Sequence, residues 1–524
     1  MVPPAAGCLT VRAGAQQRTA IALFLLLAAL IIRSASLPGR SWWIDELIAR
    51  DVARLPLYNS DSFEQQRPPF TSILAFCRHD SGPGPAAYLL DGFFAGRAEP
   101  MGGEFWMRLP PIAAAILTLV LLMACGRHIA GSSAGAVVMA AGYAIMPAMV
   151  DYGTTPRGYA WALLLGFLHL TALVRGALTA RRRRGRVAWA WWTLAAVSGI
   201  TMVLVNVVSL VWVTACLIAA ATGSGLAGRA RRCGVLSIGF AIGTATALWF
   251  AFWLPGLAAT PNTMPASRGA LDAVSQLLNA MRELHQDGTI ALVALTVLLM
   301  VLGRCCIRRK PPVPVRAVWL ALAFSGILAV GFANRFFLAP RHLFPAQMAF
   351  LLLLGLSTRP ALRCLSQRIG ERFAYRVLAT GVCLIGIAAF PFALRHATLP
   401  MHDWRNAIRQ LAADYQAGDL ILCGPNSDLE IVRAYAGAAG IPAEAVPRWI
   451  DAGDGRLLSS ASEEGLAAAL ASDDRIWFVT GFYGQVRPAS YWALVERHFQ
   501  KIRATTTGRL PIMLLARKMP DKSL

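Results

Sequence analysis

Residues 19–47 read "TAIALFLLLAALIIRSASLPGRSWWIDEL", an apolar run followed by paired tryptophans and then by two adjacent acids. As a helix the apolar run approaches the thickness of the hydrocarbon core of a bilayer. Arg12 and Arg18 precede it, and no small-residue cleavage site follows. We therefore expect an uncleaved first membrane helix with its N-terminus in the cytoplasm, which places Asp45 and Glu46 just outside the opposite membrane face.

The composition of the whole chain is that of a polytopic membrane protein. Hydrophobic residues make up 56% of the 524 residues and charged residues 15%, and the mean hydropathy is +0.51. Apolar runs of about 18–22 residues recur and predict about eleven transmembrane helices. The candidate spans are 19–35, 107–125, 134–150, 157–176, 188–204, 206–222, 234–255, 288–303, 317–334, 343–357 and 377–395. The pair 188–222 can also be interpreted as one long helix with Asn206 inside.

The distribution of the net charge of +22 indicates topology and argues against nucleic-acid binding. Arginines cluster in short stretches between apolar runs, at 181–186, 229–232, 304–310 and 358–376. Lys and Arg are enriched in cytoplasmic loops, where anionic lipids also hold them. With the N-terminus inside, all four stretches fall on the cytoplasmic side. This predicts a multi-pass membrane protein in contact with membrane lipids.

Two regions on the outer side carry further structure. Residues 36–106 form a long first loop, in which "IDELIARDVARL" has helical spacing of apolar residues and predicts an amphipathic helix lying in the interface. The tail, residues 396–524, alternates helix and strand patterns and predicts a periplasmic α/β domain with a largely parallel sheet. Its predicted helices are "DWRNAIRQLAADY", "SDLEIVRAYAG", "EEGLAAALAS" and "SYWALVERHF", and its predicted strands are "DLILCG" and "DRIWFVTG". Residues 1–395 would form the transmembrane domain.

Candidate chemical groups gather on the predicted outer face. Asp45 and Glu46 follow span one, and Asp151 and Arg157 stand where span three turns into span four. Arg335, Arg341 and His342 lie in the turn between spans nine and ten. A carboxylate can take the proton of an acceptor hydroxyl, while arginine forks hold a departing phosphate. This combination suits transfer of a sugar from a lipid phosphate, with inversion if base and leaving group lie on opposite faces of the sugar.

Other kinds of chemistry find little support in the sequence. The ten cysteines are scattered, and no Cys/His spacing resembles a zinc site, so we expect no metal and no cofactor. No glycine-rich phosphate loop, nucleophile elbow or HExxH motif occurs.

Four stretches resemble one family in order along most of residues 20–395. They are "WWIDELIAR", "GPGPAAYLLDGFFAG…EFWMRLPPIAAAILTLVLLMACGRHIAG", "MPAMVDYGTTPRGYAWALLL" and "FFLAPRHLFPAQMAFLLLLGLS". Together they resemble bacterial membrane glycosyltransferases of the GT-C fold, namely protein mannosyltransferases and the lipid A aminoarabinose transferase (glycosyltransferase family 39 and its relatives).

The resemblance implies roles for individual residues. Asp45 would be the catalytic base, with Glu46 orienting it or binding the acceptor. The donor would be a polyprenyl-phosphate sugar, and the acceptor a glycan, lipid or protein. The proposed phosphate ligands are Arg157, Arg341 and Arg335, and the weaker substrate-binding candidates are Asp151, Tyr159, His79, Asp80 and His342.

The sequence departs from the family pattern at three places. Thr155 and Pro156 replace the usual acid before the arginine, "GPGP" stands for the usual His-Pro-Pro, and His342 for a tyrosine. Two other functions stay open, a lipid-linked saccharide transporter or flippase and a polysaccharide polymerase or ligase. The nearly charge-free spans count against transport.

Overall fold

The computed structural model describes sixteen segments of the chain. They are residues 6–35, 37, 44–55, 72–79, 84–97, 104–181, 185–222, 229–259, 313–335, 343–398, 403–424, 429–442, 445, 475–480, 499–507 and 510–517. Their helices are α1 (Ala6–Ser34), α2 (Ile44–Ala53), α3 (Ile73–His79), α4 (Pro85–Ala95), α5 (Glu104–Ile129), α6 (Ser133–Ile145), α7 (Pro147–Tyr152), α8 (Tyr159–Arg181), α9 (Gly185–Val205), α10 (Leu210–Thr222), α11 (Arg229–Ala259), α12 (Val313–Arg335), α13 (Phe344–Ile369), α14 (Glu371–Thr398), α15 (Trp404–Asp414) and α16 (Leu429–Ala438). The strands are β1 (Leu420–Gly424), β2 (Arg475–Thr480), β3 (Phe499–Thr507) and β4 (Leu510–Arg517).

Six of the described helices are long and apolar enough to cross a membrane. They are Glu104–Ile129, Tyr159–Ala180, Gly185–Val205, Cys233–Trp253, Phe344–Ile369 and Phe373–Arg395. Shorter apolar helices occupy Ala20–Ser34, Ser133–Ile145, Val207–Thr222 and Val313–Ile327. Helices thus stand in ten of the eleven candidate intervals, and the candidate 288–303 lies outside the described residues. The mostly helical membrane architecture is confirmed, and the total of eleven spans stays a prediction.

The span expected at 134–150 is broken into α6 and α7. Ser132 caps the start of α6 by accepting a hydrogen bond from the backbone N–H of Gly135. Met146 is extended, with φ −65° and ψ 122°, because it precedes Pro147, whose ring disfavours helical backbone in the residue before it. Pro147 then starts α7, at a position where a missing N–H costs nothing.

The chain reverses direction between α9 and α10. Asn206 is extended and caps a single 3₁₀ turn, Val207–Ser209, by accepting from the N–H of Val208. Met202 before the turn and Trp212 after it both contact Gly166, and the Trp212 indole donates to the Gly166 carbonyl at 3.1 Å. One continuous helix would separate residues 202 and 212 by about 15 Å. The interpretation of 188–222 as a single helix is therefore wrong.

Two large apolar clusters organise the described chain, beside a small one around Leu354. The larger one lies among the membrane helices α1, α5, α6, α8, α9, α10 and α13, around residues such as Tyr143, Phe167 and Trp212. The second joins α2, α3, α4 and the end of α11 to the tail, where Trp404 and Tyr435 are fully buried. The tail thus packs directly on the helices of the first loop.

The tail folds around a four-stranded sheet in the order β1-β2-β4-β3. Only β1 and β2 are parallel, while β2–β4 and β4–β3 are antiparallel, so the expectation of a largely parallel sheet is wrong. The helices predicted at "DWRNAIRQLAADY" and "SDLEIVRAYAG" and both predicted strands are confirmed. The helix predicted at "EEGLAAALAS" and most of that at "SYWALVERHF" lie outside the described residues, and Phe499 belongs to β3.

The N-terminus of helix α4 packs against the reversal between α9 and α10. The Gly84 N–H donates to the Val205 carbonyl at 2.8 Å, and a Cβ at Gly84 would lie 2.0 Å from the Leu204 carbonyl oxygen. Gly96 at the other end of α4 has helical backbone and open space around it.

We predict that Gly84→Ala lowers the thermal unfolding midpoint of the detergent-solubilised protein, because α4 must move away from the Leu204 carbonyl. Overpacking of this kind costs about 1–3 kcal/mol. Gly96→Ala, on the same helix, serves as the control and should leave the midpoint unchanged or slightly raised. Equal midpoints for Gly84→Ala and the wild type would show that this close approach does not hold α4.

Candidate active site

A buried ion pair holds α2 against the start of α5. The Glu46 carboxylate accepts a hydrogen bond from Arg108 Nη2 at 2.8 Å, and the two side chains are 1% and 0% exposed. Such a pair gains little net stability, but loss of one partner leaves a charge buried and uncompensated. The pair therefore fixes where α2 lies and how it is rotated. Asp45 is the neighbouring residue in the first turn of the same helix.

The helix predicted at "IDELIARDVARL" is confirmed as α2, but its buried face includes charged groups. Glu46, Ala49, Arg50 and Ala53 are buried, at the i, i+3, i+4 and i+7 spacing of one helical stripe. Val52, a member of the apolar stripe expected from the sequence, is buried too. The carboxylate of Glu46 can be buried in this interface because Arg108 neutralises its charge there.

A second buried acid lies one helical turn before Arg108. Glu104 is 1% exposed and accepts hydrogen bonds from Arg405 in α15 and from Tyr435 Oη in α16, the latter at 2.9 Å. Residues 104 and 108 share one face of α5 because they are four residues apart. The first two turns of α5 therefore bind the tail through Glu104 and α2 through Arg108.

The segment that carries Asp151 and Arg157 is a compact turn between α7 and α8. The Asp151 carbonyl accepts the N–H groups of Thr154 and Thr155 at 3.1 and 3.0 Å. Gly158 closes the turn with a positive φ of 76°, where a side chain would be strained. Arg157 is only 8% exposed, whereas Asp151 is partly exposed. The turn thus keeps the Arg157 side chain inside the protein, in the same segment that carries Asp151.

Arg33 at the end of α1 is anchored beside this turn. Its guanidinium is fully buried and donates to the carbonyls of Tyr143, Ala144 and Met149 at 3.1, 3.2 and 3.3 Å. These carbonyls belong to the end of α6 and to α7, where the helix dipole favours a positive charge. A Cβ at Gly153 would lie 2.7 Å from Arg33 Nε, so only glycine leaves room for this group.

Tyr159 links the turn to the start of α13. Its buried ring lies 5.1 Å from that of Tyr152 and 6.0 Å from that of Phe344, between ring centroids. Phe344 is the first residue of α13, which begins just after the sequence "PRHL". The structure thus joins two of the stretches singled out from the sequence, around residues 151–159 and at 344.

Helix α4 contacts both α2 and the turn. A Cβ at Gly92 would lie 2.8 Å from the Ala53 carbonyl of α2, and Arg54 Nε donates to the Ala95 carbonyl at 2.8 Å. On the other side of α4, Ala87 lies close to Gly158. A Cβ at Gly158 would lie 2.9 Å from the Cβ of Ala87. The first-loop helices and the turn are therefore packed as one unit.

The remaining predicted site residues have no described side chains. Asp45 and His79 lie in α2 and at the end of α3, and Arg335 is the last residue of α12. Asp80, Arg341 and His342 lie outside the described residues. Asp151, Arg157 and Tyr159 are brought together in one turn, while Glu46 is held by α5.

Sequence reasoning missed several buried polar residues at this site. For Arg108 a signal existed, because it begins the "RLPP" stretch that resembles the family. Glu104, Arg405 and Arg33 stand in ordinary helix-end positions, and nothing in the local sequence marks them as buried partners. Within the described parts of the chain, no group of three or more His, Cys, Asp or Glu side chains could hold a metal ion.

This arrangement of membrane helices, first-loop helices and tail is a GT-C fold. The chain is similar to ArnT from Cupriavidus metallidurans in the apo state, with 12% identity, a TM-score of 0.53, and coverage of 95% of this chain and 98% of that one. The structure of ArnT bound to undecaprenyl phosphate aligns with 12% identity and a TM-score of 0.50, over 94% and 97% of the two chains. No family model and no curated protein sequence matches. The expected GT-C fold is confirmed.

We predict that Glu46→Gln lowers the free energy of unfolding by about 3–5 kcal/mol, since Arg108 then stays buried without its counter-charge. The double variant Glu46→Leu/Arg108→Leu should recover most of this loss. Thermal and denaturant unfolding in detergent micelles measure both. The control is Glu371→Gln, which removes an exposed carboxylate at the start of α14 and should cost about 1 kcal/mol or less. A loss in Glu46→Gln no larger than in the control would contradict this role.

We further predict that Arg405→Met loosens the tail, because Glu104 keeps a buried charge without its cation. Opening of the tail should become at least about tenfold more frequent, which corresponds to 1.4 kcal/mol or more. Amide hydrogen exchange of α15 and β1 measures this opening. Arg409→Met changes an exposed arginine of the same helix and should leave the exchange rates as in the wild type. Equal exchange in the two variants would mean that the ion pair does not hold the tail.

Proposed function

We propose that the chain is an inverting glycosyltransferase that moves a sugar from a polyprenyl-phosphate donor to a hydroxyl acceptor on the periplasmic face of the inner membrane. The observation that carries the proposal is the ArnT-like fold along nearly the whole chain, with the acidic first-loop helix fixed in it by a buried ion pair. ArnT itself has been seen bound to undecaprenyl phosphate. The acceptor is a glycan, a lipid or a protein.

In the proposed reaction Asp45 is the base. It takes the proton of the acceptor hydroxyl while the acceptor oxygen attacks the anomeric carbon of the sugar. The bond from that carbon to the phosphate oxygen breaks, and polyprenyl phosphate leaves with the electron pair. The anomeric centre inverts because the acceptor enters opposite the leaving group.

Glu46 would then act as a positioning residue for Asp45. Its salt bridge with Arg108 favours this role over direct binding of the acceptor, because the carboxylate is already engaged and buried. The bridge ties α2 to the start of α5 at the residue next to Asp45.

The phosphate of the donor requires cations beside the reacting centre. Arg157, which the 151–158 turn keeps almost fully buried, is the first proposed ligand, with Arg341 and Arg335 from the other outer turn. Asp151, Tyr159, His79, Asp80 and His342 are proposed as weaker substrate contacts. We assign no metal and no nucleic acid to the reaction.

We propose that residues 1–395 form the catalytic membrane domain, with the first loop at 36–106, and that residues 396–524 form a periplasmic α/β domain. The tail would cover the site or select the acceptor. Its packing on α2, α3 and α4 in one apolar cluster supports a role next to the first loop.

We predict that Asp45→Asn lowers the rate of transfer by about 10²- to 10⁴-fold, the usual contribution of a positioned general base. Membranes that contain equal amounts of each variant receive radiolabelled polyprenyl-phosphate sugars, and the label is followed into lipid, polysaccharide and protein fractions. The matched control, Asp51→Asn, neutralises a half-exposed carboxylate of the same helix and should keep wild-type transfer. Label that moves equally with Asp45→Asn would refute the base assignment. Label that stays on the polyprenol with every variant would refute the transferase.

A further inference from the structure

Helix α4 carries a buried carboxyl group that no ion pair explains. Asp91 is 1% exposed, and within the described chain its Oδ1 has no hydrogen-bond partner. The same holds for the buried indole Nε1 of Trp161, in the first turn of α8. An unsatisfied buried polar atom costs about 1–3 kcal/mol, so two of them in one place call for a physical reason.

The two groups face each other across the packed contact of α4 with the turn before α8. Ala87 of α4 meets Gly158, and Asp91 follows Ala87 by four residues while Trp161 follows Gly158 by three. These spacings bring the next positions onto the same faces. The indole N–H of Trp161 lies near enough to the Asp91 carboxyl to lower its pKa. The contact between the indole nitrogen and Asp91 Oδ1 falls outside hydrogen-bonding geometry.

The surroundings of Asp91 suit a neutral ligand. Burial raises the pKa of Asp91 to about 7, and the indole N–H of Trp161 acts in the opposite direction. Within the described chain no ionised side chain contributes to this shift. A phosphate or a cation would require charged partners. A hydroxyl group requires one acceptor and one donor, which are what Asp91 and Trp161 present.

We propose that Asp91 and Trp161 form a subsite for one hydroxyl group of the sugar on the lipid-phosphate donor. The hydroxyl donates to Asp91 Oδ1 and accepts from the indole N–H of Trp161. The location supports the sugar of the donor, because Trp161 lies four residues after Arg157, the proposed phosphate ligand. This inference rests on the proposed function and names the part of the substrate that helix α4 recognises.

The test compares two lipids, undecaprenyl phosphate and undecaprenyl phosphate carrying a sugar, with glucose and aminoarabinose as the two sugars tried. The full-length protein in lipid nanodiscs binds each lipid, and the dissociation constants are measured. Asp91→Leu and Trp161→Phe remove the acceptor and the donor while keeping the apolar bulk. We expect either variant to weaken binding of the sugar-bearing lipid at least tenfold and to change binding of undecaprenyl phosphate less than twofold. Asp91→Asn keeps an acceptor oxygen and should restore most of the affinity.

Two controls match the variants in chemistry. Asp51→Asn neutralises a half-exposed carboxylate of α2, and Trp189→Phe changes an exposed tryptophan of α9. Both should bind both lipids as the wild type does. Retained affinity for undecaprenyl phosphate shows that Asp91→Leu and Trp161→Phe are folded.

The other outcomes separate the two proposals. If wild-type affinity for the sugar-bearing lipid persists in both variants, the pair holds at most a water molecule and the subsite is refuted. Equal weakening for both lipids would show a structural role and would also refute it. If the wild-type protein binds neither lipid, the proposed function fails, and the subsite fails with it.

Discussion

The buried ion pair between Glu46 and Arg108 is the interaction on which the arrangement around the site depends. Arg108 belongs to a long membrane helix, and Glu46 belongs to the short helix α2 of the first loop. Because both charges are buried away from water, loss of either one would leave the other uncompensated and would destabilise the protein. The first loop thereby acquires a fixed helical segment at the position of the proposed base.

The same end of α5 also binds the tail through Glu104. One helical turn therefore separates a contact with the C-terminal part of the chain from a contact with the first loop. The apolar cluster that includes Ala49, Trp404 and Tyr435 surrounds these charged contacts and excludes water from them. Movement of the tail and movement of the first loop cannot be independent while both pairs are intact, because they share a stiff helix as their support.

Much of the fold could be predicted from the sequence because hydropathy and helical periodicity are local. The membrane helices, α2, α15 and α16 and the strands β1 and β2 all follow from such patterns. The sheet order could not, since the antiparallel partners of β2 and β3 are set by chain reversals that local propensity does not encode. The break at Met146 was missed although Pro147 marks it, because the apolar run continues across the break.

The site was predictable only in part, for a related reason. Local sequence patterns do not show that Glu46, Glu104 and Arg108 are buried, because their partners come from elsewhere in the chain. Their pairing spans 62 residues for Arg108 and Glu46 and 301 for Arg405 and Glu104. A single sequence shows which residues are charged, but it does not show which of them form ion pairs with one another. Residues 151–159 were easier to identify, since their acid, arginine and tyrosine lie within one turn.

Arg33 has a consequence for the order in which the protein is made. Its guanidinium is fully buried, and its carbonyl acceptors lie 110, 111 and 116 residues further along the chain. During synthesis the first apolar helix exists before α6 and α7 do, and in that interval its arginine lacks these acceptors. A charged side chain in hydrocarbon is costly, so the first helix gains its final depth only when the later helices arrive. Assembly of the helix bundle thus depends on a contact that can form only after α6 and α7 have been synthesised.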